Sequence, residues 1–456
     1  MGGCPGTENR GATVKRVLIC SPSHAIYGGV ETIVNDLCQE LPARGWEPLL
    51  ALGKGSRFNI VEKYRAAYPD LQIIEIDGTN GTRQSRIEAL AALIKRRQPD
   101  VVLAARIFDV YEVVSRMKLK NRKAPRLAVA IRAYEPHYLY DAKLFRESID
   151  LCAADGRLLS AACIDYCGFE PERVADIPGG IRPPKQLASP RHIAEILRIG
   201  YVGRLEQEQK RILDLVPFLR KLDETGIRYS LEIIGTGPAE TDLKEKLREE
   251  VATGRVIFHG WQEHDSLYAR IFPKLDCLVH FAQTEGVTIA PREAMVHGVV
   301  PVISQFTGLK TERQFLHGEN ALTFPIGDTA TAAAHVKRLA EEPELMEYLS
   351  YNAIHSQPGK YSFAGSMNAW AKALDRCMEL PRAIGPVPTI NRSDDGRLKT
   401  LGISPRLAQR IRGLTGKRQV HNDPGSEWPT GSGLMTTEAA AEIMRFAAEY
   451  EQSNHG

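Results

Sequence analysis

Short apolar runs alternate with stretches of helical spacing along most of this 456-residue chain, and that alternation restricts the fold more than any other feature. "KRVLICSP" (15–22) closes in a turn and reads as a strand. "VETIVNDLCQELPARG" follows with apolar residues at Val30, Ile33, Val34, Leu37 and Leu41, which is helical spacing. "EPLLAL", "DLQIIEID", "VVLAAR", "RLAVAIRA" and "IDLCAAD" are further strands, with a long helical stretch ending "ALIKRRQPD" among them. Buried β-branched strands in βαβα order imply a parallel sheet with helices on both faces.

A Pro- and Gly-rich break, "DIPGGIRPPKQLASPRH" (176–192), interrupts the pattern. It then restarts with strands in "EILRIGYVGR", "YSLEIIGTG", "RVIFHG", "LDCLVHF" and "VVPVIS" and helices in "ILDLVPFLRKLDET" and "AETDLKEKLREE". The expected architecture is α/β, with two tandem Rossmann-like, doubly wound parallel-sheet domains facing a cleft. Ligands of such sheets bind beyond the carboxyl ends of the strands. The expected division is a disordered lead-in at 1–14, domains at 15–180 and 181–365, a late helix at 366–380, and an unassigned tail at 381–456. Within the tail, "SPRLAQRIRGLTGKR" is basic and weakly amphipathic, and "TTEAAAEIMRFAAEYEQ" reads as a final helix starting near Thr437 and Glu438 and packing by Ile443, Met444 and Phe446.

Composition removes several function classes. A formal charge of +3 gives no reason to expect nucleic acid as a partner. No apolar run approaches the ~18 residues a membrane helix needs. The polar N-terminus lacks a signal-peptide core, and Gly6 sits where a myristoylation site wants Ser or Thr. The eight cysteines are scattered, "CIDYC" has no matching Cys or His pair nearby, and reduced thiols without a metal site are the expectation. The expected location is cytoplasmic.

Candidate chemistry concentrates in "HFAQTEGVTIAPREAMVHGVVPVIS" (280–304). Pro291 suits a first helical turn, so a helix is expected from about Pro291 to His297, stopping at Gly298. Glu285 then lies in the loop after a strand, and Gly286 lets the backbone approach a ligand. The amides of Val287, Thr288 and Ile289 lie near the helix start, where anions are favoured, and Glu293 sits a turn further in. Two carboxylates flanking an amide-lined anion site suit a nucleotide-sugar; an ordinary strand–turn–helix with solvent-facing glutamates is the plain alternative. "GYVGRLEQEQKRI" places Arg204 and Lys210 just after a strand end, where cations suit a departing diphosphate. Gly28 and Gly29 sit between a strand and a helix in "SPSHAIYGGVETIV", as a phosphate- or sugar-contacting turn or simply a tight one. Gly235 and Gly237 in "EIIGTGPAETDL" are half of a dinucleotide fingerprint; Glu240 stands where its third glycine belongs.

Together these residues resemble a retaining glycosyltransferase of family 4, also called glycosyl transferases group 1, with the two-domain GT-B fold. The family's mark is a Glu, seven residues, then a second Glu, and this chain has "EGVTIAPREAMVHGVVPVI". "GGVETIVNDLCQELPARGWEP", "VADIPGGI", "YVGR", "LEIIGTGP", "VIFHGW" and "HGENAL" follow in family order, over roughly residues 15–380. The resemblance implies that Glu285 holds donor-sugar hydroxyls, that Glu293 binds the ribose, and that Arg204 and Lys210 neutralise the leaving diphosphate. It implies that the amides of Gly286, Val287, Thr288 and Ile289 touch sugar or phosphate, with Gly235 also on the donor side. Backbone near Trp261 and Gln262 would meet the base, and Gly28 and Gly29 would close the site. The late helix would return to the first domain.

The chain departs from the family in three places. Thr288 replaces a usual glycine. The Arg204–Lys210 gap is one residue longer than is common in the family, so Lys210 or its neighbour Arg211 could fill the role. Arg132 and His137 stand as acceptor-side candidates where many members have a strand-end histidine. The implied reaction moves a sugar from a nucleotide-diphosphate donor to an unknown hydroxyl acceptor with retention, without metal or cofactor. A non-catalytic nucleotide-sugar-binding module and a nucleotide-sugar epimerase are the alternatives. The basic segment with Arg406, Arg410, Arg412, Lys417 and Arg418 is either a solvated helix face or a peripheral contact with an anionic membrane.

Overall fold

The computed structural model describes residues 14–26, 28–186, 188–192, 195–357, 359–390, 403–416 and 418–453. The lead-in expected at 1–14 lies outside them apart from Val14, as do Lys417 and the side chains of Arg406 and Arg412. Among the described residues, thirteen strands alternate with helices. They are β1 (Lys15–Pro22), β2 (Trp46–Lys54), β3 (Ile73–Asp77), β4 (Val101–Ala104), β5 (Arg126–Ile131), β6 (Leu151–Ala154) and β7 (Val174–Asp176). Then come β8 (Leu197–Val202), β9 (Tyr229–Ile234), β10 (Val256–Gly260), β11 (Cys277–His280), β12 (Val300–Ser304) and β13 (Leu322–Phe324). The first seven form one sheet in the order β3-β2-β1-β4-β5-β6-β7, and the other six a second sheet in the order β10-β9-β8-β11-β12-β13.

Each order reverses direction once, at β1/β4 and at β8/β11, and both of these pairs are parallel. At such a reversal the connecting loops leave in opposite directions and open a crevice at the carboxyl ends. Of the strands that flank it, β4 and β11 are buried along their whole length, as β-branched runs covered on both faces must be. Over the second sheet, the helix Leu215–Asp223 buries Leu215, Val216, Phe218, Leu219 and Leu222. Phe218 meets Phe281 edge-on at 5.5 Å, and Phe281 lies 5.5 Å from Phe324.

By compactness the chain divides into two units. One comprises Met1–Ala130, Leu144–Cys152 and Trp370–Leu434; the other comprises Ile131–Lys143, Ala153–Ala369 and Met435–Gly456. Local differences from expectation have local causes. The stretch "AETDLKEKLREE" is two helices, Glu240–Lys246 and Arg248–Ala252, broken at buried Leu247 (φ −109°, ψ 20°). The helix expected at 291–297 spans Ala290–Met295, with Gly298 left-handed beyond it (φ 77°). The last helix, Thr437–Ser453, is capped one residue earlier than expected, by the Thr436 hydroxyl accepting from the Ala439 amide at 3.2 Å. Ile443 and Ala447 are its buried residues, and Met444 and Phe446 are half-buried.

Up to Leu434 the tail is part of the first unit's fold. The Glu427 carboxylate accepts the consecutive amides of Ser56, Arg57, Phe58 and Asn59 at 2.7–2.9 Å and the Asn59 side-chain amide at 3.1 Å. Burial works to raise this carboxyl, but the six-fold donation from Asn59, its neighbours and Ser56 holds it at about 2. Trp428 is fully buried against Gly53 and Gly78; a Cβ at either glycine would sit 2.6–2.7 Å from the indole. Asn59 in turn accepts the Ser23 and His24 amides at 3.0 and 3.1 Å, so the tail braces the loop after β1. Trp428→Ala should cost about 3–5 kcal/mol in urea unfolding. Leu414→Ala, at a position 89% exposed, should stay within about 0.5 kcal/mol. Equal losses would contradict the anchoring role of Trp428.

Candidate active site

Two loops from neighbouring strands meet in the second unit. One leaves β8 and carries Arg204 and Lys210; the other leaves β11 and carries Glu285. Because β8 and β11 are parallel partners, residues 75 positions apart in sequence arrive at the same edge. The Gln283 amide donates to the Gln209 carbonyl at 2.8 Å, and the Gln209 side-chain amide donates to the Thr284 carbonyl at 2.9 Å. Glu206 caps the turn, accepting the Lys210 and Gln209 amides at 3.0 and 3.2 Å. Lys210 is thereby aimed at Glu285, and the two form an ion pair. Arg211, the competing cation, pairs with Asp214 at 2.9 Å instead. Arg204 bonds the Gln209 side-chain oxygen at 2.8 Å, and its side chain is 61% exposed.

Glu285 is 7% exposed. Its Oε1 also meets His280 Nε2 at 3.1 Å. Burial alone would raise the Glu285 carboxyl; the Lys210 charge and the His280 bond overcome it and hold the group at about 2. Burial lowers His280 below its ordinary range, against the pull of Glu285, so the ring is neutral and donates from Nε2.

The turn after Glu285 is shaped from behind. Arg132 bonds Asp155 at 2.8 Å and the Ile177 carbonyl at 2.6 Å. Asp155 also accepts the Gly179 amide at 3.0 Å and the Val287 amide at 3.4 Å. A Cβ on Gly286 would sit 2.9 Å from Asp155 and 3.1 Å from the Arg132 carbonyl, so a glycine is required there by the protein's own packing. Among the described residues, the amides of Gly286, Thr288, Ile289 and Ala290 meet no protein acceptor. Fully buried Arg292 then pins the short helix, donating to the Gly179 carbonyl at 2.7 Å, Gln357 at 2.7 Å and the Tyr361 carbonyl at 3.2 Å.

Glu293, nearly a turn past the last of these amides, is met by His264 Nε2 at 3.1 Å. The His264 ring stacks on Tyr268 at 4.1 Å, and His297 donates Nδ1–H to the Glu293 carbonyl at 2.7 Å. Gln262 is tied to the His259 carbonyl and to Ser266 at 3.0 Å each, beside Trp261, which is 38% exposed. Gly235 serves backbone packing: a Cβ there would lie 1.9 Å from the Gly203 carbonyl oxygen. His137 lies tilted against Tyr138 at 4.0 Å between ring centroids, with Glu135 at 3.5 Å. Gly28 and Gly29 belong to the first unit, where Gly28 starts the helix Gly29–Glu40 and Glu31 pairs with Arg106 at 2.8 Å.

Residues 189–356 match the family model described as Glycosyl transferases group 1. That segment contains Arg204, Lys210, His280, Glu285 and Glu293. That segment is similar to the glycosyl transferases group 1 family. The putative glycosyltransferase EpsF of Bacillus subtilis is 30% identical over 201 residues, 41% of this chain and 51% of that protein. The chain thus spans about half the length of this curated relative. Among solved structures, sucrose-phosphate synthase from Thermosynechococcus elongatus superposes with a TM-score of 0.65 at 16% identity, covering 80% of this chain and 99% of that one. HepE from Anabaena in complex with UDP and glucose gives 0.63 at 16%, covering 79% and 99%. The lipopolysaccharide outer core galactosyltransferase WaaB gives 0.61 at 17%, also covering 79% and 99%. At these identities the likeness speaks to the fold, and the fold is GT-B.

Periodicity alone did not single out His280, His264, Asp155 or Arg292. His280 ends an apolar strand and reads as core; its signal is a polar residue at a strand's carboxyl end, five positions before Glu285. The carboxylate's environment has a measurable consequence. Its stabilising contribution is complete above pH 4.5 and is lost as the pH falls towards 2, on the order of 3 kcal/mol. His280, depressed from 6.5, adds loss in the same direction below that pH. Acid-side melting curves of Glu285→Gln should therefore be flatter below pH 4.5 than those of wild type; parallel curves would contradict this environment for Glu285.

Proposed function

We propose that the chain is a retaining, metal-independent glycosyltransferase that moves a sugar from a nucleoside-diphosphate donor to an acceptor hydroxyl. The observation that carries this reading is an ionised, buried Glu285 beside four amides that meet no acceptor among the described residues, with Lys210 and Arg204 on the adjoining loop. A nucleotide-sugar needs that order of groups. A carboxylate accepts from sugar hydroxyls, amides and cations take the diphosphate, and a second carboxylate, Glu293, accepts from the ribose. HepE is a solved structure of this fold in complex with UDP and glucose, which supports a sugar nucleotide as the donor class.

In the proposed reaction the bond from the anomeric carbon to the diphosphate oxygen breaks, and the acceptor oxygen bonds to the same face. The acceptor's proton passes to the departing diphosphate. Charge grows on that diphosphate as it leaves, so donors fixed in place beforehand lower the barrier. Lys210 serves Glu285 in the resting chain and turns to the diphosphate when the donor is bound. Exposed Arg204 is free to swing to the same oxygens. Neutral His280 keeps Glu285 oriented throughout.

Calorimetry with UDP, GDP and ADP should find one that binds, and Glu293→Ala should weaken it by roughly 10- to 100-fold, the loss expected when a buried charged acceptor is removed. Glu285→Ala should abolish sugar transfer while the fold persists. Binding of nucleotide without turnover in wild type would favour a non-catalytic module, and unchanged turnover in Glu285→Ala would remove the site assignment.

A further inference from the structure

The tail helix Pro405–Thr415 is capped by Ser404, whose hydroxyl accepts the Leu407 amide at 3.4 Å. It lies against the helix Arg83–Arg97, and Ala408 is its buried residue. Leu407, Ile411 and Leu414, spaced four and three apart, fall on one helical stripe and are 51%, 37% and 89% exposed. Val420, just beyond, is 69% exposed. Such a contiguous apolar stripe on the outside of a folded unit signals a contact surface.

Charge identifies what that surface meets. Residues 396–422 hold seven Lys or Arg (Arg397, Lys399, Arg406, Arg410, Arg412, Lys417 and Arg418) and no Asp or Glu. The whole chain is +3, so the remaining residues sum to +3 − 7 = −4. The helix beneath ends in exposed Lys95, Arg96 and Arg97. A run of sequence rich in cations and free of acids, carrying a stripe of exposed Leu and Ile, suits a surface that is anionic outside and apolar just below, which is an anionic bilayer. A nucleic acid would reward the cations and leave the Leu stripe unused. The stripe is also held in place: Glu427 and Trp428 lock the following segment into the first unit, and the Gln419 amide bonds the Asn80 carbonyl at 3.0 Å.

We propose that the helix Pro405–Thr415 docks this protein on an anionic lipid surface, with Leu407, Ile411 and Leu414 inserted at the headgroup boundary and the surrounding cations paired with lipid phosphates. No described helix is long and apolar enough to cross a membrane, so the contact is peripheral. The test is flotation of the full chain with vesicles of phosphatidylcholine alone and of phosphatidylcholine mixed equally with phosphatidylglycerol. The expected result is flotation with the mixed vesicles only, weakened by salt. It should fall about tenfold in Leu407→Ser/Leu414→Ser and in Arg410→Glu, with wild-type melting temperatures. Absence of flotation with mixed vesicles overturns the proposal. So does flotation indifferent to the Leu substitutions, or tighter binding to polyuridylate that ignores them, which would make the segment a general polyanion contact.

Discussion

The ion pair between Lys210 and Glu285 is the constraint around which the second unit is arranged. A carboxylate this far from solvent exists as an anion only where a cation and hydrogen-bond donors replace its water. Lys210 and His280 supply that replacement. They do so because β8 and β11 are neighbours at the point where the strand order reverses. The Gln209 bridge to Gln283 and Thr284 and the Glu206 cap are the local means of bringing the lysine round to the carboxylate. Topology, turn chemistry and charge thus converge on one oxygen atom, Glu285 Oε1.

Carboxylates seated on backbone amides recur through the molecule. Asp155 takes the Gly179 and Val287 amides, Glu427 takes four in succession at residues 56–59, and Glu451 takes the Gly308 amide at 3.0 Å. Each fixes a loop that has no regular hydrogen-bond ladder of its own, satisfying polar backbone that would otherwise be costly to bury. Two of the three come from the tail. Glu451 orders the 308–311 turn, and Thr307 in that stretch donates to the Gln283 carbonyl at 3.1 Å, beside the Glu285 loop. The tail therefore contributes to loop order in both units, although its sequence carries no catalytic pattern.

How far the sequence could be read follows from the range of the interactions. The strands were legible because burial on both faces leaves continuous β-branched runs, and the Glu285–Glu293 spacing was legible because it lies within one strand–turn–helix. The Lys210–Glu285 pairing followed only in outline, from both loops trailing strands of one sheet. Arg132 was read as an acceptor-side candidate; its guanidinium bonds Asp155 and the Ile177 carbonyl, a pairing between separate strand ends that no local pattern announces. Gly286 was read as letting the backbone approach a ligand; the close packing of Asp155 and the Arg132 carbonyl on its Cβ side is a second reason for a glycine that no local pattern announces. The tail was opaque because Trp428 fits a slot made by Gly53 and Gly78, more than 300 positions away.

In the proposed reaction Lys210 is shared, holding Glu285 in the resting chain and the diphosphate when donor is bound, while Glu285 itself addresses the sugar. The direct measurement is calorimetric affinity of wild type and Glu285→Gln for the nucleoside diphosphate that binds and for its sugar ester. The account predicts that the variant binds the free diphosphate at least as tightly as wild type, because Lys210 is released, and binds the sugar ester more weakly. Equal weakening towards both ligands would contradict it.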